Sequence, residues 1–206
     1  MRFPQLRFAF LEGGAAWACS LLSDLLGYWE KRNRDAIGQY DPAALDRDRL
    51  DALFARHSEG RMRDRLDRLG EGLGMLSEPI TGDDPVDEFA ESLISRPDDI
   101  VKIFTERFFF GCEADDPMTA LAFDRARNPY GAQLPALFAS DIGHWDVPDF
   151  ARVLCAAWEL VEKGHLDLAD FRAFTFGNPV ALWSRTNPRF FAGTIIEAAV
   201  DAARVD

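Results

Sequence analysis

Cysteine and histidine are scarce in this chain, with three of each in 206 residues. Cys19, Cys112 and Cys155 are widely spaced and odd in number, which excludes a disulfide framework and any Cys-x-x-Cys metal or redox motif and fits a reducing cytoplasm. His57, His144 and His165 stand far apart, so there is no His-x-His pair. Basic residues are few relative to acidic ones, 23 against 35, for a formal net charge of -12. That balance repels phosphate backbones and anionic lipid, so neither nucleic acid nor a membrane surface is an expected partner. The richest basic run, Arg61 to Arg68, is interleaved with Asp64 and Asp67, the make-up of a solvated, internally paired helix face. No apolar run approaches the roughly 20 residues needed to cross a bilayer. Arg2 and Arg7 followed by Phe8 to Leu11 and Ala15 to Leu22 superficially resemble a signal peptide, but Glu12 interrupts the apolar stretch and no small-residue cleavage site follows. Internal repeats, low-complexity tracts and linkers are absent as well.

Apolar residues are plentiful. At 48% of the chain they are enough for one sizeable core, and the length favours a single domain over residues 1–206. Leu6 to Leu11 reads as a strand, Gly13-Gly14 as a tight turn, and Ala15 to Arg34 as a helix with Ala18, Leu21, Leu22, Leu25, Leu26 and Trp29 at helical spacing. The two glycines either cradle an anion at the helix start or allow close strand-to-helix packing. Residues 41–74 turn charged and amphipathic and read as a helical insertion, with His57 half-buried on an apolar stripe. Ser77 to Pro85 is turn-rich, and Val86 to Ile94 and Asp98 to Phe104 read as short helices, the second begun by Pro97. Arg107 to Cys112 is a second strand, with Met118 to Arg127 as its helix.

The third unit carries the densest chemistry. Leu134 to Ala139 is short and almost wholly apolar, as expected of a strand buried on both faces of a parallel sheet. Asp141, His144 and Asp146 follow within six positions, and Pro148-Asp149 opens a helical pattern that runs to Gly164. Asp170 to Phe176 and Asn178 to Ser184 read as closing helices. In α/β folds the ligand sits where the carboxyl ends of strands meet the following loops, which places Asp141 to face such a site. The residues alone leave a plainer alternative open, in which Asp141 caps a turn and His144 is a loop histidine with satisfied hydrogen bonds.

Four segments carry a family resemblance: Leu6-Arg-Phe-Ala-Phe-Leu-Glu-Gly-Gly14, Phe108-Phe-Phe-Gly-Cys-Glu113, Phe138-Ala-Ser-Asp-Ile-Gly-His-Trp-Asp146 and Phe176-Gly-Asn-Pro-Val180. Together they resemble the carboxyl-terminal part of amidohydrolase-related proteins, the TIM-barrel, metal-dependent hydrolases and decarboxylases that include aminocarboxymuconate-semialdehyde decarboxylase. The resemblance implies a partial (β/α)₈ barrel made of the last three β/α units, without the amino-terminal half, and weak or no activity of the chain alone. It also implies a divalent metal, zinc by preference, with Asp141 as ligand and base. Many members carry His-Gly-Gly where this chain has Glu12-Gly13-Gly14, which makes Glu12 a candidate for proton transfer or substrate orientation. Glu113 and His144 are candidates for substrate binding from neighbouring strand ends. The expected partner is a small carboxylated or cyclic substrate, with a homodimer or a complementing amino-terminal half completing the fold. Two alternatives remain: an inactive scaffold that dimerises through exposed sheet edges, and a metal-free acid-base enzyme using Glu12 and Glu113.

Overall fold

Three parallel strands form the sheet, in the order β1 (Phe8–Phe10), β2 (Phe108–Glu113), β3 (Ala136–Ala139). The computed structural model describes residues 3, 5–41, 44–72 and 89–203, which divide into two compact units: Met1–Gly27 with Arg96–Asp206, and Tyr28–Ser95. The first unit contains the sheet. Phe8 pairs with Phe108 and Phe10 with Phe110, and Phe110 pairs with Ala136 on the other side. Sequential neighbours running parallel require a crossover between them, so this is a mixed α/β architecture.

β2 is central, and its apolar run is buried accordingly: Phe109, Phe110 and Cys112 are each at most 1% exposed. The strand expected over Leu6 to Leu11 shortens to three residues, all of them exposed, because β1 is an edge with one neighbour. β3 is buried at Ala136 and Leu137 and half-buried at Phe138 and Ala139, so burial on both faces holds for its first half. Aromatic rings line the β1–β2 seam. Phe10 stacks on Phe110 with centroids 5.8 Å apart and meets the edge of Trp17 at 5.4 Å.

Helices cover the sheet through the apolar faces that their spacing dictates. α1 (Ala16–Arg32) buries Ala18, Leu22 and Leu26. α3 (Pro97–Glu106) starts at a proline, with the Asp99 carboxylate accepting the Arg96 N–H at 3.1 Å, and buries Ile100 and Phe104. α4 (Val153–Glu162) buries Val153, Ala157 and Leu160 but leaves Phe150 and Leu154, which precede and open it, more than half exposed. α5 (Leu168–Arg172), a π-helical turn (Ala173–Gly177) and α6 (Asn178–Thr186) run on without a break, and α7 (Glu197–Ala203) follows. The Asn178 side-chain amide donates to the Ala136 carbonyl at 2.8 Å, satisfying an acceptor on β3. That contact explains Asn178 within the Gly177-Asn178-Pro179 stretch.

The helix expected from Met118 to Arg127 is corrected. A 3₁₀ turn (Pro117–Thr119) and one α-turn (Ala120–Phe123) end at Asp124, whose carboxylate accepts the N–H groups of Ala126 at 3.1 Å and Arg127 at 3.0 Å. An aspartate offering its own side chain to the backbone competes with helix continuation.

In the second unit, α2 (Arg47–His57) and a single turn (Gly60–Arg63) fall within the helical 41–74 segment. Asp46 caps α2 by accepting the Arg49 N–H at 2.9 Å. His57 is exposed, which corrects its expected half-buried packing role, because α2 buries none of its residues. The turn-rich Ser77 to Pro85 lies outside the described residues, and of Val86 to Ile94 the described part forms one 3₁₀ turn (Ala90–Ser92). Among the described residues no helix is long and apolar enough to cross a membrane.

Candidate functional site

Each strand ends in a carboxylate at or just past its last residue: Glu12 after β1, Glu113 at the end of β2 and Asp141 after β3. Parallel pairing puts these ends on one side of the sheet. The connections then decide which side chains meet. After β1 the chain reverses through Glu12, Gly13 and Gly14, with Glu12 at φ 62° and Gly14 at φ 63°. The Gly14 N–H donates to the Gly111 carbonyl at 3.1 Å and the Gly14 carbonyl accepts from Trp17 Nε1 at 3.0 Å, pinning the turn between β2 and α1. Gly111 permits this. A Cβ there would stand 3.2 Å from both Leu11 Cα and Leu11 Cδ2, a contact that Leu11 would have to relieve by a few tenths of an ångström.

After β3 the chain turns at Asp141, φ 51°, and the His144 N–H donates to the Asp141 carbonyl at 3.2 Å. The same turn sets His144 Nδ1 2.9 Å from Asp141 Oδ1. Glu12, Asp141 and His144 thereby come together, each offering a donor atom, with all three atoms within 4.8 Å of one another. Asp141 is half-buried; the other two are exposed. Four non-glycine residues among those described have left-handed φ, and Glu12 and Asp141 are two of them. Such backbone costs of order 1–3 kcal/mol per residue and concentrates at functional sites.

Asp141 also belongs to a second feature, a cavity of about 350 Å³ whose wall includes Glu113, Asp115, Asp141, Asp146, Asp149 and Arg152. Of the four residues singled out from the sequence, Glu12, Asp141 and His144 form the cluster, and Glu113 faces the cavity without joining it. Asp115, Asp149 and Arg152 were not anticipated. Asp149 reads in sequence as the helix start, and it does cap that turn, accepting the Ala151 N–H at 3.1 Å. A signal for Arg152 existed: it sits in the 3₁₀ turn (Phe150–Arg152) that opens the helical segment, where long side chains lean back over the preceding loop.

The donor set fits a divalent ion. Two carboxylates and an imidazole are the oxygen and nitrogen ligands that zinc takes, and three protein ligands with an open position is the catalytic arrangement. Bonds of about 2.0–2.2 Å to tetrahedral zinc bring ligand atoms to roughly 3.4 Å apart. The His144–Asp141 pair, at 2.9 Å, stands inside that spacing, and the three donor atoms lie within 4.8 Å of one another.

No protein-family model, curated protein or solved structure matches the chain.

Proposed function

We propose that the chain is a metal-dependent hydrolase or decarboxylase of the amidohydrolase-related kind, acting on a small carboxylated or cyclic substrate. Its three β/α units then correspond to part of a (β/α)₈ barrel. The observation that carries this reading is the convergence of Glu12, Asp141 and His144 donor atoms within 4.8 Å at the strand ends. A bound zinc-type ion supplies Lewis acidity and brings the pKa of water to about 7. On this reading Asp141, the residue common to cluster and cavity, holds the ion and accepts a proton from a group inside the cavity. Glu12 and His144 complete the ligand set. Glu113, in the cavity wall, orients substrate by accepting its hydrogen bonds, and the Arg152 guanidinium gives a substrate carboxylate a counter-charge among five acidic neighbours.

The test is an activity screen over small cyclic amides, lactones and unsaturated carboxylic acids, reading ring opening and carbon dioxide release with added zinc. Turnover that disappears with chelator and in Asp141→Ala supports the proposal. Turnover indifferent to both removes it and favours metal-free acid-base chemistry at Glu12 and Glu113.

A second reading has its own observation. β1 is an edge strand with all three residues exposed, Phe8 to 49% and Phe10 to 36%, and an apolar edge of this kind is a template for pairing with another strand. On this reading the chain is an inactive scaffold that dimerises through β1. Sedimentation showing a dimer that Ala9→Pro converts to monomer supports it; a monomer at all concentrations removes it.

A further inference from the structure

The amino ends of the strands, on the side of the sheet away from Glu12, Glu113 and Asp141, hold a concentration of positive charge. Arg7 precedes β1 and Arg107 precedes β2, and the Phe8 N–H donates to the Arg107 carbonyl at 3.0 Å, so the two arginines occupy adjacent places on neighbouring strands. Arg185 arrives from α6 and donates Nη1 to the Glu106 carbonyl at 2.8 Å. The three are close enough that Arg7 loses basicity, first through burial and then through repulsion by Arg185 and Arg107, with Glu106 opposing. Arg107 and Arg185 are anchored on backbone carbonyls, of Phe3 and Glu106 respectively. Among the described residues neither Arg107 nor Arg185 is ion-paired with a carboxylate. A guanidinium has five N–H donors, so one anchoring bond leaves most of its capacity for a ligand. In a chain of net charge -12, three gathered arginines are a local inversion of the overall field.

Arg185 also lines a cavity of about 290 Å³ with Phe176, Val180, Ala181, Ser184 and Ala203. Its wall is mostly apolar. The Ser184 hydroxyl is buried and has no hydrogen-bond partner among the described residues, a state that costs stability unless something else supplies one. Phe176 belongs to the π-helical turn, a helix distortion common beside ligand sites. A dry cavity of ~150 Å³ accommodates a benzene ring, so this one has room for a ring and a short chain.

We infer that the amino end of the sheet is a second small-molecule site, taking an anion with an apolar body: a carboxylate or phosphate-ester head on Arg185 and Arg107, and a ring or short alkyl group against Phe176, Val180 and Ala181. The ligand is distinct in place from any substrate at the strands' carboxyl ends. The inference does not depend on the metal reading.

Binding to the full chain is measured by calorimetry and thermal shift with three probes: 3-phenylpropionate, phenyl phosphate and inorganic phosphate. The two aromatic anions should bind and raise the melting temperature, their ranking telling whether the head is carboxylate or phosphate, while inorganic phosphate binds much more weakly. Arg185→Met and Arg107→Met should each weaken the aromatic anions by roughly 10–100-fold, the equivalent of one lost charge-assisted contact. Ala181→Leu, which fills the cavity and keeps the charges, should weaken them too, whereas Asp141→Asn should leave binding unchanged. Equal binding of inorganic phosphate and the aromatic anions overturns the inference by removing the cavity's role. So does binding that survives Arg185→Met or is lost in Asp141→Asn, and so does the absence of binding at millimolar probe.

Discussion

Replacing Glu12 by glycine should make the metal-free protein more stable and the metal-loaded protein relatively less so. Glu12 sits at φ 62°, where an L side chain costs roughly 1–2 kcal/mol that glycine does not incur. Glycine also raises the entropy of the unfolded chain, which offsets about 0.4–1 kcal/mol of the gain. The net is about 1 kcal/mol in favour of Glu12→Gly, or roughly 2–4 °C in melting temperature for a chain of this length. A metal that binds only the folded wild type at a hundred times its dissociation constant adds about 2.7 kcal/mol, more than reversing that order. The assay is a pair of thermal melts of each protein, one in chelator and one in zinc. The variant should melt higher in chelator, and the wild type higher in zinc. Glu12→Gln separates the two effects, since it keeps the left-handed backbone and removes only the carboxylate. A variant less stable in chelator refutes the strain argument, and equal stabilisation of both proteins by zinc refutes Glu12 as a ligand.

Three further outcomes follow from contacts away from the cluster. Asn178→Ala removes the amide donor from the Ala136 carbonyl and should cost about 1–3 kcal/mol, read as a lower urea midpoint at unchanged slope. An unchanged midpoint means that water replaces the amide and that Asn178 does not tie α6 to β3. Gly111→Ala sets a methyl group 3.2 Å from Leu11 Cα and should destabilise by about 1–3 kcal/mol, again by urea melt, because backbone rather than a flexible side-chain end has to yield. A stabilised variant shows that β1 is not held close to β2. The Cys112 thiol is fully buried, and desolvation pushes its pKa up from 9.0 to about 11. Below pH 9 both states keep the thiol proton; between 9 and 11 only the unfolded chain loses it, which favours unfolding by about 2–3 kcal/mol across that window. Stability should therefore fall over that window and fall less in Cys112→Ala; identical pH slopes contradict the assignment.

Much of the parallel core was legible because buried strands and amphipathic helices write themselves as apolar runs and helical periods. Phe108 to Glu113 and Pro97 to Glu106 are such elements, and the structure agrees with the reading within a residue or two. Edge strands write a weaker signal. Leu6 to Leu11 has the right residue types, yet with one neighbour only Phe8–Phe10 pairs. Met118 to Arg127 misled for a different reason: its apolar spacing is helical, and the Asp124 carboxylate, a local competitor invisible to periodicity, ends the helix early. Asp141 and His144 were visible as a pair because three positions separate them within one turn. Glu12 joins them only through sheet order, which sequence spacing does not contain. Arg7, Arg107 and Arg185 are invisible as a group for the same reason, since they lie on three elements far apart in the chain.

The central claim is that Glu12, Asp141 and His144 hold one metal ion. The most direct measurement is titration of the chelator-treated chain with cobalt(II), followed by visible absorption and calorimetry. The account predicts one ion per chain with the intense band of low-coordinate nitrogen and oxygen ligation, displaced by zinc, and weakened by at least roughly tenfold, about 1.4 kcal/mol, in each of Glu12→Gln, Asp141→Asn and His144→Ala. A featureless spectrum, or an affinity that all three substitutions leave unchanged, would contradict it.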